Sequence, residues 1–245
     1  MRNLVALLVV SALAVFAGCA TVQRKLLFYP THRTQTTGLT EWKHEGALIG
    51  YSRLVDDPEN VWLLIHGNGG QAADRVYAMS AFSAHDSVFV LEYPGFGSRP
   101  GKPSKGAFDA AAAEAYRLLR SMFPEKPVCV AGESIGSGPA SMLAQEAVPP
   151  DKLVLVVPFD DLKRVAAHHL PYFSVGLILS ASWNNVKTLS RYKGAIDIFG
   201  AKQDTMISID HARVLAASLA QAKFHIIPGG HNDWSSQNEV QIRNP

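Results

Sequence analysis

The chain has 245 residues, of which 47% are hydrophobic and 18% are charged, and its formal net charge is +2. This composition excludes an intrinsically disordered chain, because it supplies enough apolar surface for a large buried core. The balanced charge gives no reason to expect a nucleic acid partner. The composition therefore predicts a single globular domain.

The amino terminus has the pattern of an export signal. Met1-Arg2-Asn3 is a basic start, and residues 4–17 form an apolar stretch of about 14 residues, which is short for a membrane span. Val15-Phe16-Ala17-Gly18-Cys19 then resembles a bacterial lipobox, in which small residues precede a cysteine that receives diacylglycerol. We therefore expect a lipoprotein signal peptide over residues 1–18, followed by a short tether over residues 19–25.

The lipobox resemblance also implies a location in the cell. A lipid on Cys19 would anchor the protein to the bacterial cell envelope, since more than one acyl chain gives stable anchoring. Ala20 follows the cysteine where aspartate would retain the protein at the inner membrane, so the enterobacterial sorting pattern favours the outer membrane, facing the periplasm. An uncleaved anchor and an ordinary secreted protein are the alternatives.

Short apolar runs alternate with helical patterns along the rest of the chain. The runs lie at residues 61–65, 88–91, 128–131, 153–157, 196–199 and 224–227. Such runs are typical of parallel strands buried on both faces. Residues 42–55 predict a hairpin at one edge of the sheet. Helical spacing also predicts one buried helix face, formed by Phe108, Ala111, Ala112, Ala115, Leu118, Leu119 and Met122.

The run at 128–131 leads into Gly132-Glu133-Ser134-Ile135-Gly136, which precedes a helical pattern. A strand, a tight turn and a helix are the setting of a nucleophile elbow, in which the serine hydroxyl is exposed on a sharp turn. Glycines two positions to either side let the chain reverse without collision. Ser134 is therefore the candidate nucleophile, and the alternative is an ordinary strand-to-helix turn.

An acid and a histidine follow in the order that a triad requires. Asp204 lies just beyond the run at 196–199, and His231 lies just beyond the run at 224–227. Because the carboxyl ends of parallel strands gather at one sheet edge, these loops can meet Ser134. His231 would take the serine proton while Asp204 orients the imidazole.

His66-Gly67-Asn68-Gly69-Gly70 follows the run at 61–65, where a loop that binds an oxyanion belongs. A tetrahedral intermediate needs donors fixed in advance. We assign one donor to the N–H of Ile135 and the other to Asn68. An ordinary turn is the alternative for the glycines.

Together these segments resemble the α/β-hydrolase family, and more closely its Bem46-like members, which include the ABHD13 and ABHD17 types. Further matching segments are Leu27-Phe28-Tyr29-Pro30, Glu92-Tyr93-Pro94-Gly95-Phe96-Gly97-Ser98 and Gly101-Lys102-Pro103-Ser104. The resemblance covers about residues 26–232. It implies an α/β-hydrolase domain over residues 26–245, with a mostly parallel central sheet, helices on both faces and a short cap. It also implies an acyl ester or thioester hydrolase, and no metal or other cofactor is expected.

Other polar residues compete with these assignments. Asp160 and Asp161 follow the run at 153–157, from which some family members supply the acid, but the loop of Asp204 fits the family pattern better. His168-His169 lacks a completing metal ligand and is interpreted as surface or cap. The sequence leaves Glu133 open, since it could tune the site or face outward. Further residues are expected to be structural, namely His225 and the buried thiol of Cys129.

Substrate choice is expected to reside in the cap, at about residues 162–190. Its apolar part, residues 170–179, could line an acyl pocket or pack onto the core. We expect a small-molecule or lipid-like acyl substrate and a monomeric protein. A serine peptidase and a catalytically silent binding lipoprotein are the rival functions.

Overall fold

The computed structural model describes residues 27–34, 38–169, 179, 181–236 and 239–243. The signal peptide, the tether, Cys19 and residues 170–178 of the predicted cap lie outside the described residues. The strands of the described parts are β1 Tyr29–Pro30, β2 Thr40–His44, β3 Ala47–Arg53, β4 Val61–Ile65, β5 Gly69–Gly70, β6 Ser87–Leu91, β7 Val128–Glu133, β8 Lys152–Val156, β9 Ala195–Ala201 and β10 Ala222–Ile227.

Helices connect the consecutive strands from β6 to β10. They are α1 Lys105–Met122, α2 Ser137–Met142, α3 Leu162–His169, α4 Asn185–Leu189 and α5 Ile209–Ala217, with 3₁₀ turns at Ala72–Ala81, Ser134–Gly136 and Leu143–Gln145. The hydroxyl of Ser104 caps α1 by accepting from the Ala107 N–H at 3.1 Å. The helix ends before Pro124, since the residue preceding a proline avoids the helical region. Within the described parts of the chain, every helix is too short or too polar to cross a membrane.

Eight strands form one sheet in the order β10-β9-β8-β7-β4-β6-β3-β2. The strands from β10 to β6 pair in parallel, whereas β3 pairs antiparallel with both β6 and β2. Each of the six predicted runs is therefore a strand, and the predicted edge hairpin is confirmed as β2 and β3. The fold is an α/β fold with a mostly parallel central sheet, as the resemblance to the α/β hydrolases implies.

The central strands are buried on both faces because helices or loops cover each side. Along β4, Val61, Leu63 and Ile65 face the core beneath α1, α2, α4 and α5. Trp62 and Leu64 face the opposite core, beneath the 3₁₀ turn at Ala72–Ala81 and the carboxyl-terminal segment. Successive side chains of a strand point to opposite faces, and both faces are buried here. The strands therefore have continuous apolar sequences.

The prediction of the buried helix face is wrong for one residue, Met122. Met122 is 46% exposed, whereas Tyr116 of the same helix is buried. Met122 is the last residue of α1, and the chain turns there so that Phe123 packs against Phe89, with ring centroids 5.8 Å apart. Helical periodicity does not show where a helix extends beyond the sheet that it packs on. The predicted buried face is therefore one turn too long.

Candidate active site

Ser134 lies at a sharp turn between β7 and the helix that follows. Its backbone is in the left-handed region, with φ at +54°. A Cβ on Gly132 would lie 2.7 Å from the Cβ of Ala140, and one on Gly136 would collide with the carbonyl oxygen of Ile65. Glycine is therefore required at both positions by close packing, which is the structural reason for the Gly-x-Ser-x-Gly spacing.

A continuous chain of hydrogen bonds joins three residues that are far apart in sequence. The Ser134 hydroxyl lies 2.8 Å from His231 Nε2, and His231 Nδ1 lies 2.7 Å from Asp204 Oδ2. In this chain Nδ1–H donates to the carboxylate, so Nε2 is free to accept the serine proton. The structure thus brings together the predicted nucleophile, base and acid in the geometry that proton transfer requires.

The loop after β9, residues 202–207, fixes the carboxylate of Asp204 and is called the acid loop here. Asp204 Oδ1 accepts from the N–H groups of Met206 and Ile207, at 2.9 and 2.8 Å. The other oxygen, Oδ2, is left to face His231. The acid loop is also tied to residues 228–236, the histidine loop, because Gln203 N–H donates to the carbonyl of Gly229 at 2.9 Å.

The competing carboxylates after β8 are engaged elsewhere. Asp160 is buried and contacts His211 Nδ1 at 2.6 Å and the guanidinium of Arg164. Asp161 accepts from the Lys163 N–H and from the side-chain amide of Asn184, both at 2.8 Å. These bonds fix the start of α3 and the turn before α4. His231 is therefore paired with Asp204 and not with either residue of this alternative.

Residues 66–70 form a loop that we call the oxyanion loop, after its predicted role. Tyr29 N–H donates to the carbonyl of Asn68 at 2.9 Å through the small parallel pair of β1 and β5. Tyr93 donates its hydroxyl proton to the carbonyl of His66 at 2.7 Å. Asn68 and Ile135, the two predicted donors, lie on the same cavity wall as Ser134. The backbone of this loop is thus held in place beside the nucleophile.

A buried polar cluster that the sequence analysis missed lies beneath this loop. Arg75 donates to the carbonyl of Gly69 and, at 2.6 Å, to the hydroxyl of Tyr77. Glu133 is buried beside this guanidinium, so it faces inward, and Trp234 of the histidine loop points its N–H toward it. No local pattern marks Arg75 or Trp234, because their contacts are made only in the folded chain.

The site opens into a cavity of about 400 Å³ with a mostly apolar wall. The apolar wall residues are Leu27, Tyr29, Ile135, Phe159, Leu162, Val165, Ala166, Leu179, Met206 and Ile207, and the polar ones are Asn68, Ser134, His169, Thr205 and His231. Helix α3 of the cap region supplies four of them. The cavity is large enough for a small organic group, and its lining favours an apolar one.

The remaining sequence candidates have other surroundings. His169 lies on the cavity wall, where its Nε2–H donates to the carbonyl of Met206 at 2.7 Å. His225 contacts Asp197 at 2.9 Å and stacks on Phe199. Burial raises the pKa of the Cys129 thiol to about 12, which leaves it protonated at neutral pH. In the described parts of the chain, no three His, Cys, Asp or Glu side chains cluster as metal ligands would.

Curated relatives share much of this chain. An uncharacterised protein of Mycobacterium tuberculosis strain H37Rv is 31% identical over 176 residues, which are 70% of this chain and 62% of the relative. The lysophosphatidylserine lipase ABHD12 of Danio rerio is 26% identical over 195 residues, which are 71% of this chain and 50% of that lipase. The chain thus spans between half and two thirds of the length of these relatives.

Solved structures and a family profile agree on the fold. The esterase Pf2001 of Pyrococcus furiosus superposes with a TM-score of 0.65 at 14% identity, over 87% of this chain and 97% of the esterase. The thioesterase domain from the curacin biosynthetic pathway gives a TM-score of 0.61 at 14% identity, over 82% of this chain and 95% of that domain. The profile of the alpha/beta hydrolase fold matches residues 60–182, half of the chain. With this match, the elbow and the sheet order, the chain belongs to the α/β-hydrolase family.

Proposed function

We propose that the protein is a serine hydrolase that cleaves carboxylic esters or thioesters through an acyl-Ser134 intermediate. The observation that carries this proposal is the unbroken chain of hydrogen bonds from Asp204 through His231 to Ser134, at the wall of an apolar cavity. A hydroxyl held 2.8 Å from an imidazole nitrogen can transfer its proton as it attacks.

The proposed first half-reaction follows from these contacts. Ser134 Oγ attacks the acyl carbon while its proton moves to His231 Nε2, and Asp204 offsets the charge of the imidazolium. The oxygen of the tetrahedral intermediate receives hydrogen bonds from Asn68 and from the N–H of Ile135. The leaving alcohol or thiol then takes the proton from His231. In the second half-reaction water attacks the acyl-serine carbon as His231 takes its proton, and the bond to Ser134 Oγ then breaks, so that the acid leaves and Oγ regains the proton from His231.

The substrate class is proposed from the cavity and from the relatives. An apolar wall that includes Leu162, Val165 and Ile207 suits the hydrocarbon part of an acyl group. ABHD12 carries the name of a lysophosphatidylserine lipase, and its similarity supports a lipid-like ester for this chain. Within the family we place the chain among the Bem46-like members, on the strength of its Leu-Phe-Tyr-Pro segment at 27–30 and of the oxyanion loop.

We also propose that the protein is anchored to the bacterial envelope through lipid on Cys19. Eight Cα steps separate Cys19 from Leu27, which lies on the cavity wall, and a fully extended chain spans at most about 28 Å over this distance. The cavity would then stay close to the membrane surface. This location supports an acyl substrate that resides in the membrane.

Labelling with a fluorophosphonate probe tests the proposed chemistry. We expect the full chain to be labelled, and we expect labelling to vanish in Ser134→Ala and to fall by about a thousandfold or more in rate in His231→Ala. A panel of esters, thioesters and matched amides then defines the leaving group.

The same experiment separates the rival functions. A folded protein that resists the probe and turns over no ester would support the silent binding lipoprotein. Faster turnover of peptide amides than of esters with the same acyl group would support a peptidase.

A further inference from the structure

Glu133 is a buried carboxylate directly before the nucleophile, and its two oxygens reach three different segments. Oε2 accepts from the N–H of Gly67 at 3.3 Å and lies 3.8 Å from the Arg75 guanidinium. Oε1 lies 3.5 Å from the Tyr77 hydroxyl and 3.4 Å from Trp234 Nε1. The side chain of Glu133 is 8% exposed, so these groups replace most of its contact with water.

These partners belong to the segments that must meet around Ser134. Gly67 lies in the oxyanion loop, next to Asn68, and Arg75 holds the same loop through the carbonyl of Gly69. Trp234 is buried in the histidine loop, three residues beyond His231. The carboxylate of Glu133 therefore lies where the oxyanion loop and the histidine loop both approach the end of β7, directly before Ser134.

We propose that Glu133 is a positioning residue for the reaction, and this proposal rests on the function proposed above. The carboxylate sets the distance of the oxyanion loop and of the histidine loop from Ser134, through Gly67 and Trp234 respectively. Stabilisation of an oxyanion depends on donors that are fixed before charge develops, so a displaced loop loses transition-state binding more than substrate binding.

Charge and acceptor number explain why a carboxylate serves this purpose. An ionised carboxylate accepts at both oxygens, whereas a glutamine amide has one acceptor oxygen and one donor nitrogen. Because Gly67 and Trp234 face different oxygens of Glu133, a glutamine in the same orientation has an acceptor for only one of them. It would also leave the buried guanidinium of Arg75 without its opposite charge, since Glu133 is the carboxylate next to it.

Asp86 offers a matched control at the opposite edge of the sheet. It is also a buried carboxylate, and it accepts from Trp62 Nε1 at 3.1 Å and from the Asn60 amide at 2.8 Å. It lies directly before β6, so it is at the amino ends of the parallel strands, whereas the site is at their carboxyl ends. Asp86→Asn removes a buried carboxylate and weakens a tryptophan contact without touching the site.

The test compares Glu133→Gln with Asp86→Asn in the full-length protein. Three quantities are measured on a water-soluble ester, namely kcat, KM and the affinity for an alkyl boronic acid, which forms a reversible tetrahedral adduct with the active serine. We expect Glu133→Gln to lower kcat by about tenfold or more, to lower the boronate affinity by a similar factor and to change KM by less than about threefold. Asp86→Asn is expected to lower the melting temperature and leave all three quantities unchanged.

A second variant covers the case in which Glu133→Gln fails to fold. Trp234→Phe keeps an aromatic side chain in the core and removes the N–H that points to Oε1, together with part of the volume of the buried indole. It tests the contact of the histidine loop while Glu133 stays in place, and we expect kcat and boronate affinity to fall by about threefold or more.

The outcomes are distinct. The proposal is overturned if Glu133→Gln and Trp234→Phe keep wild-type kcat and boronate affinity, even where stability falls, because Glu133 is then only structural. If Ser134→Ala turns over the ester as fast as the wild type, the serine hydrolase itself is wrong, whatever the Glu133 variants do.

Discussion

Ser134 combines a strained backbone with a buried hydroxyl. Its φ of +54° is a conformation that residues with a Cβ rarely adopt, and such backbone strain costs on the order of 1–3 kcal/mol. Its hydroxyl is buried and lies 2.8 Å from His231 Nε2. Glycine would suit this backbone better than serine does, which agrees with the chemical role proposed for the hydroxyl.

Two variants that lack the proposed nucleophile, Ser134→Gly and Ser134→Ala, differ only in the Cβ. We expect Ser134→Gly to be more stable than Ser134→Ala by about 1 kcal/mol, because alanine keeps the strain at positive φ and glycine relieves it. Urea unfolding of both proteins measures this difference. An alanine variant as stable as the glycine variant would show that the turn is unstrained.

At the scale of elements, charged side chains link three adjacent strands. Asp197 on β9 contacts Lys152 of β8 at 2.7 Å and His225 of β10 at 2.9 Å. Burial alone would raise the pKa of Asp197, but the hydrogen bonds from Lys152 and His225 outweigh it, so the pKa lies below its ordinary value of 3.8. These contacts tie β10, and with it the start of the histidine loop, to the rest of the sheet.

The lowered pKa gives a stability that depends on pH. An acid whose pKa is lower in the folded than in the unfolded protein stabilises the fold above its unfolded pKa, and this stabilisation is lost as the pH falls through the folded pKa. We expect Asp197→Asn to lower the free energy of unfolding by about 3 kcal/mol at pH 7, because Lys152 stays buried without its partner. The difference from wild type should shrink as the pH falls below about 4.

Asp210→Asn is the control for this measurement. Asp210 pairs with Arg213 on α5, but its side chain is 73% exposed, so the pair contributes little. Denaturant unfolding from pH 7 to pH 3 compares the two variants. A gap between Asp197→Asn and wild type that stays constant over this range would contradict the role of the ionised carboxylate.

The sequence predicts the elements well because their signals are local. Each buried parallel strand is an apolar run, and the elbow is marked by glycines that close packing requires. The contacts between elements leave no local pattern in the sequence, because the two partners are far apart. Glu133 and Trp234, for example, are 101 positions apart. The inward orientation of Glu133 and the partnership of Asp160 with His211 therefore emerge only from the folded chain.

At the scale of the whole molecule, the proposed anchor at Cys19 precedes Leu27 of the cavity wall by eight residues in the sequence. Leu27 and Tyr29 form part of the cavity wall, and Tyr29 is 53% exposed although it is large and aromatic. Met206 of the acid loop also lines the cavity and is 48% exposed. A lipid on Cys19 would hold these apolar residues of the cavity wall within reach of the bilayer.

Cys19→Ser tests the anchor without altering the site. We expect the wild type to sediment with membranes and the variant to be released or to keep its signal peptide, while turnover of a water-soluble ester per molecule stays unchanged. On a long-chain ester dispersed in vesicles, we expect the wild type to be faster by about tenfold or more, because the anchor raises the local enzyme concentration. Mass spectrometry of the amino-terminal peptide shows the modification, and an unmodified wild-type cysteine would refute the anchor.

The acid loop serves two purposes with the same residues. Met206 and Ile207 hold Asp204 through their N–H groups, and their side chains form part of the cavity wall. A bulkier acyl chain that pushes on this wall would also move the carboxylate that orients His231. If the proposed hydrolase evolved towards larger substrates through substitutions of Met206 or Ile207, the larger cavity would therefore come with a lower turnover rate. We expect a new substrate preference to come instead from substitutions on α3, where Val165 and Ala166 line the cavity without a hydrogen bond to Asp204.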